Sequence, residues 1–257
     1  MTILHSLIFG LVEGITEFLP ISSTGHLILT ANLLKLSSSE FLKSFEIIIQ
    51  LGAILAVVVL YWKSFLNISN LKKLFVAFLP TAIIGLALYK IIKHYFLGNS
   101  SIVLWSLFLG GFFLIIFELL HKNSIANGGV SDMSKISYKQ SFIIGLFQSI
   151  AVIPGVSRSA ATIVGGLFLG LDRITIVEFS FLLAVPTKLA ASGLDLFKNA
   201  GTMSSSDIGS LVLGFVVSFV VAMASIRLLL TFVRKYTFIP FGVYRVLVAV
   251  AFWLILF

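Results

Sequence analysis

The chain has 257 residues, 59% of them hydrophobic and 11% charged, with a mean hydropathy of +1.12 and a formal charge of +8. An ordinary soluble domain carries about 25% charged residues, so water is not the main solvent of this chain. The absence of cysteine excludes a disulfide framework, a thiolate nucleophile and a cysteine-based zinc site, and the scattered Lys and Arg form no basic stripe of the kind nucleic acid needs.

Residues 1–14 hold an apolar run with no basic stretch before it, and Glu13 stands where a cleavable signal has small neutral residues. The segment is expected to stay in the mature protein. Residues 3–36 read as a helix, a polar break at Pro20-Ile21-Ser22-Ser23-Thr24-Gly25-His26, and a second helix. Apolar runs follow at 45–62, 74–92 and 102–120, each near the roughly 20 residues that cross ~30 Å of hydrocarbon. Residues 141–171 repeat the interrupted pattern, with the break at Pro154-Gly155-Val156-Ser157-Arg158-Ser159, and runs at 177–197, 209–233 and 241–257 complete the set. The expected fold is an all-α integral membrane protein, a single membrane domain over 1–257, with about six transmembrane helices and two broken, re-entrant helical hairpins. Lipid cannot satisfy freed N–H and C=O groups, so both breaks should be buried in protein or line a wet cavity.

At an offset of 135 residues the two interrupted stretches match without gaps at nine positions, among them Ser6/Ser141, Gly10/Gly145, Ile15/Ile150 and Ser22/Ser157. This suggests repeat halves near 1–120 and 136–257. Loops 63–73, 121–140, 172–176 and 234–240 together hold nine Lys or Arg, against about five on the other side including Lys90, so the positive-inside rule makes the first set cytoplasmic. The hairpins then open toward opposite faces, the arrangement of an inverted-topology repeat.

Glu13 and Glu17 lie four apart on one helix face inside an apolar stretch. Two adjacent acids there need a cation, a proton or a metal between them, and intramembrane ionisable residues are by default functional. The first break adds three hydroxyls, Gly25 and His26 at a helix start, where free N–H groups and the dipole favour an anion. Helix capping by Ser22 or Ser23 accounts for one hydroxyl only. In the second break Arg158 is the one charged residue between Lys139 and Asp172, and its fork suits phosphate oxygens or pairs with Glu13 or Glu17. Further polar residues in the apolar runs are Glu46, Gln50, Glu178, Lys188, Asp195, Arg227 and Arg245; several sit near helix ends where snorkelling suffices, and Glu46, Gln50, Glu178 and Lys188 are cavity candidates. His5, His94 and His121 lack the spacing of a metal site. Gly10 with Gly14, and Gly166 with Gly170, form small faces for helix contact.

The strings EGITEFLPISSTGH from Glu13 and PGVSRS from Pro154 closely resemble the two signature motifs of the undecaprenyl pyrophosphate phosphatases, the bacitracin-resistance family. The stretches FEIIIQLGAILAVVV from Phe45, EFSFLLAVP from Glu178 and FIPFGVYR from Phe238 extend the likeness over essentially the whole chain. One departure is Ala160, where the second motif has Gly, and a methyl there is expected to tighten the loop. The resemblance implies hydrolysis of undecaprenyl diphosphate to the monophosphate on the outer side of the bacterial cytoplasmic membrane. That reaction recycles the carrier lipid for cell-wall synthesis, and the resemblance also implies dependence on Mg²⁺ or Ca²⁺.

On this reading Ser23 attacks the terminal phosphorus with His26, three residues along the turn, as base or acid. Arg158, Ser157, Ser159, Ser22, Thr24, Gly25 and Gly155 hold the phosphates, while Glu13 and Glu17 bind the metal or tune His26. A His26 nucleophile and a metal-activated water fit the same residues. The expected partners are the polyprenyl diphosphate and the bilayer, with room for a homodimer and no role for nucleic acid. A secondary transporter or flippase of a phosphate or polyprenyl phosphate lipid shares the architecture but does not require a hydroxyl, an imidazole and paired acids together. A structural scaffold would leave these groups without purpose.

Overall fold

The computed structural model describes residues 1–37, 39–91, 99–126, 130, 132–199 and 208–256; His94 and the side chains of Lys90 and Asp195 lie outside what is described. The regular structure among these residues is helical: α1 (Ile3–Thr16), α2 (Ser23–Leu33), α3 (Glu40–Leu60), α4 (Trp62–Phe65), α5 (Ile68–Ala87), α6 (Tyr89–Ile91), α7 (Ser100–Ala126), α8 (Tyr138–Ser149), α9 (Arg158–Phe168), α10 (Arg173–Asn199), α11 (Ile208–Val233) and α12 (Ile239–Leu256). Six of them, α3, α5, α7, α10, α11 and α12, are long and apolar enough to cross a membrane. The protein is thus an all-α, multi-pass membrane protein, with spans where hydropathy places them.

The helix ends differ from the apolar runs for a physical reason. Helix α3 starts at Glu40, where the Ser39 hydroxyl accepts from Leu42 N at 3.1 Å, and α5 starts at Ile68, where Asn67 accepts from Ser69 N and Asn70 N. Capping side chains belong to the polar interface, so hydropathy marks the hydrocarbon while caps mark the helix.

Both interrupted stretches fold as two short helices around a break. Helix α1 has 14 residues, α8 12, and α2 and α9 11 each, so none exceeds about 21 Å at 1.5 Å per residue, short of a ~30 Å core. The breaks are buried, with Ser22, Ser23, Ser157 and Ser159 all nearly inaccessible. Their polar backbone is held by protein, as a lipid solvent demands.

Helix α1 packs on α11 and α3, α8 packs on α5 and α9, α10 runs between α3, α5 and α9, and α12 packs on α7. Gly10 and Gly14 do form a contact face: an added Cβ would lie 2.8 Å from Gly214 O and 2.7 Å from Val221 Cβ of α11. The expected second face splits. Gly166 packs on Ile176, but Gly170 has open space around it and φ +80. It ends α9, with Gly170 N donating to Leu167 O and Leu171 N to Gly166 O, each at 3.0 Å, the left-handed helix stop that glycine adopts at least cost. Phe18 at the end of α1 is fully buried edge-on against Phe181 of α10, ring centres 5.3 Å apart. Such a pair contributes about 0.5–1.5 kcal/mol beyond its buried area, and it fixes the neighbouring Glu17 against α10.

Candidate active site

Glu17 ends α1, its N–H donating to Glu13 O at 2.9 Å, and its carboxylate is the point where both breaks meet. The Ser23 hydroxyl donates to Oε2 at 2.5 Å, Arg158 Nη2 donates to Oε1 at 3.1 Å, and Lys188 Nζ approaches Oε2 at 3.3 Å. Lys188 also donates to Gln50 Oε1 at 2.9 Å. One buried carboxylate is therefore balanced by two cations and a hydroxyl, the pairing that burial of charge requires.

Arg158 is the first residue of α9. The Ser157 hydroxyl caps that helix by accepting from Ala160 N at 3.2 Å, and Arg158 Nη1 donates to Ser180 O at 2.7 Å, which orients the guanidinium. Its Nε is buried without a hydrogen-bond partner. Ser159 donates to Leu19 O at 2.8 Å, stitching the second break to the first, and so Ser157 is the donor in the 2.9 Å Ser157–Ser159 pair. The Ser22 hydroxyl accepts from Gly25 N at 3.4 Å, so α2 and α9 open on equivalent serine caps.

These groups border a cavity of about 540 Å³ lined by Glu17, Ser22, Ser23, Thr24, Gln50, Ser157, Arg158 and Lys188. Its remaining wall is mostly apolar, including Phe78, Leu86, Ala190 and Ala191 from α5 and α10. A charged head and an apolar wall in one cavity suit an amphiphile.

Several residues stand elsewhere than expected. His26 and Ser23 share no hydrogen bond. Instead His26 Nδ1 bonds Ser22 O at 2.8 Å, and Nε2 bonds the Tyr244 hydroxyl at 2.9 Å with the two rings stacked at 5.6 Å. Both residues lie within regular α2, and what separates them is their partners: Glu17 takes the Ser23 hydroxyl, while Ser22 O and Tyr244 take the two ring nitrogens of His26. Glu178 has Tyr61, Asp172 and Arg234 as neighbours, away from the cavity lining. Glu46 also lies outside the lining and neighbours Glu13. Gly25, Gly155 and Ser159 support the breaks from behind the wall.

The family model described as Bacitracin resistance protein BacA matches residues 6–251. A protein of Sulfurihydrogenibium sp. named undecaprenyl-diphosphatase is 51% identical over 254 residues, covering 99% of each chain. Proteins of the same name from Wolinella succinogenes and Aquifex aeolicus are 47% and 46% identical, covering 98% of this chain. The chain belongs to the BacA family.

The resemblance read from the sequence implies a divalent cation, for which the acidic side chains are the available ligands. Among the described residues no three His, Asp or Glu gather into a metal cluster. Glu13, however, is fully buried with both carboxylate oxygens unpartnered, one turn from Glu17. Oxygen donors of this kind fit Mg²⁺ or Ca²⁺ chemically, with Glu17 on the cavity lining and Glu13 behind it. Ala160 sits inside α9 rather than in the loop, and its N–H donates to the Ser157 hydroxyl at 3.2 Å.

The cavity also holds residues that sequence reasoning passed over. Gln148 Nε2 donates to Thr81 at 2.8 Å and Thr187 at 3.2 Å. The two threonines follow Pro80 and Pro186, prolines inside α5 and α10, and Gln148 aligns with Glu13 at the 135-residue offset. A proline within a membrane helix is the signal that could have found them.

Proposed function

We propose that this chain hydrolyses undecaprenyl diphosphate to undecaprenyl phosphate and inorganic phosphate, as an undecaprenyl-diphosphate phosphatase that recycles the carrier lipid for cell-envelope polymers. The observation that carries the reading is the Glu17 carboxylate holding Ser23, Arg158 and Lys188 together at the polar end of an apolar-walled cavity. The names of the curated relatives support the same substrate.

Phosphoryl transfer needs an aligned nucleophile and neutralised equatorial oxygens. In this mechanism Ser23 Oγ attacks the terminal phosphorus while Glu17, already accepting its hydrogen bond, takes the proton. The bond from that phosphorus to the bridging oxygen breaks, and the polyprenyl phosphate leaves with the proton from Glu17. Water then attacks the phosphoserine, giving a proton to Glu17 that returns to Ser23 Oγ as inorganic phosphate departs. Arg158 serves the phosphate through its unpartnered Nε and Lys188 through its ammonium. Ser22, Thr24, Ser157 and the first N–H groups of α9 border the same space. A divalent cation bound at Glu13 and Glu17 would add positive charge beside the phosphates.

The proposal extends to location and internal symmetry. The chain sits in the cytoplasmic membrane with the cavity reached from the outer face, supported by the Lys and Arg bias of the loops. Residues 1–120 and 136–257 are repeat halves, supported by the reciprocal packing of α1 on α11 and of α8 on α5.

The test is phosphate release from a polyprenyl diphosphate by the purified protein, with and without chelator, for wild type, Ser23→Ala and Arg158→Ala. Release by wild type alone, abolished by chelator, is expected. Undiminished release by both variants sinks the site assignment, and no release by wild type returns the transporter reading.

A further inference from the structure

Arg245 of α12 is among the largest fully buried side chains, 1% exposed, and it forms an ion pair with no carboxylate among the described residues. Its guanidinium donates only to backbone carbonyls: Nη1 to Pro20 O at 3.4 Å, Nη2 to Gly155 O at 3.2 Å and Ser106 O at 2.9 Å, and Nε to Leu107 O at 3.4 Å. A buried cation without a counter-charge is costly, so what it holds matters.

Two of those carbonyls come from the two breaks, at equivalent places. Pro20 and Gly155 are 135 apart, the offset that aligns the breaks, and each lies three residues before Ser23 or Arg158, which are themselves an aligned pair. The same offset pairs Arg245 with Gly110 of α7, and an added Cβ at Gly110 would collide with the Arg245 guanidinium. One half supplies the arginine and the other supplies the space for it. A single fork with five donors can bridge both breaks; an ammonium cannot serve four carbonyls in one plane. The preceding residue, Tyr244, holds the first break a second time, through the His26 ring that bonds Ser22 O.

We propose that Tyr244 and Arg245 are positioning residues: Arg245 bridges equivalent carbonyls of the two breaks, Tyr244 holds the His26 ring, and together they fix Ser23 opposite Arg158 without touching substrate. This rests on the phosphatase reading. Both side chains act through backbone and His26, so their loss displaces the reacting groups while leaving the apolar wall from α5 and α10 in place.

The experiment is steady-state phosphate release from a polyprenyl diphosphate, with thermal unfolding, on full-length protein in detergent for wild type, Arg245→Lys, Arg245→Gln, Gly110→Ala and Tyr244→Phe. A displacement near 1 Å costs about 100-fold, so Arg245→Gln is expected to lose about that in kcat with KM kept, and Arg245→Lys to recover part of it. Gly110→Ala moves the fork without removing its charge and is expected to lower kcat likewise; Tyr244→Phe loses less. If Arg245→Gln does not fold, Gly110→Ala and Tyr244→Phe decide. Wild-type kcat in every folded variant overturns the proposal, as does an equal rise of KM in place of the kcat loss. Absence of release by wild type sinks the phosphatase reading instead.

Discussion

The two breaks solve the same structural problem with different residues. Each opens its second helix on a serine cap three residues before the bonded N–H, Ser22 to Gly25 and Ser157 to Ala160. The left-handed turn sits at different places: Ser22 has φ 73 in the first break, and Gly155 has φ 89 in the second. A side chain in that region is strained and persists only where its surroundings hold it, whereas glycine adopts it freely. The strained residue is the one beside Ser23, gripped by the His26 ring. The relaxed break carries the cation instead. A shared pattern of caps thus supports a division of labour in which the reactive hydroxyl and carboxylate sit on one break and the guanidinium on the other.

The sharpest way to break this comparison is to exchange its chemistry. Glu17 aligns with Val152. Removing a positioned base costs about 10²–10⁴-fold in rate, so Glu17→Gln is expected to lose phosphate release on that scale, while Val152→Ala keeps most of it. Release assays at saturating substrate check both, and equal losses would show that the breaks are not specialised. The amide in Glu17→Gln also leaves Arg158 and Lys188 without their shared counter-charge, so thermal stability in detergent should fall as well.

A smaller effect is expected at Lys188, which belongs to neither break. It shares Glu17 with Arg158 but is anchored to Gln50 of α3. Lys188→Met removes one of two cations facing the phosphates, and a loss of about tenfold in kcat/KM, about 1.4 kcal/mol, is expected. A loss as large as that of Arg158→Ala would place the anion clamp on α10 rather than on the second break.

How much of this was legible beforehand depends on what kind of signal each residue gives. The six spans and both breaks are visible as hydropathy and its interruption, because the bilayer penalises polar backbone everywhere else. Glu17, Ser23 and Arg158 stand out as polar types in apolar segments, and the structure brings all three to one point. Arg245 gives the same signal but does not stand out from the other polar residues of the apolar runs; the space left by Gly110 on α7 is what lets it be buried. Ser23 and His26 share no bond because Glu17 takes the Ser23 hydroxyl and Tyr244 of α12 and Ser22 O take the His26 ring, partners that spacing along one helix does not show. The polar set of Gln148, Thr81 and Thr187 depends on three helices meeting, information that no single segment contains.

The finest test concerns the turns themselves. Gly155 combines a positive φ with contact: an added Cβ would lie 2.6 Å from Val103 O and 2.8 Å from Ser106 Cβ of α7. Gly155→Ala therefore meets both strain and collision, and a destabilisation of about 1–3 kcal/mol is expected from the backbone alone. At Ser22 the reverse change, Ser22→Gly, relieves the positive φ but removes the hydroxyl that caps α2 and widens the unfolded ensemble. Replacing a serine cap by glycine costs only a few tenths of a kcal/mol, and the relieved strain offsets this, so stability should change by less than about 1 kcal/mol. Thermal unfolding of the two variants in the same detergent measures the difference. If Ser22→Gly stays as stable as wild type while phosphate release falls, Ser22 serves the site, through its strained backbone or its hydroxyl, rather than the fold. A loss of stability at Ser22 as large as at Gly155 would mean that the two breaks are built alike after all.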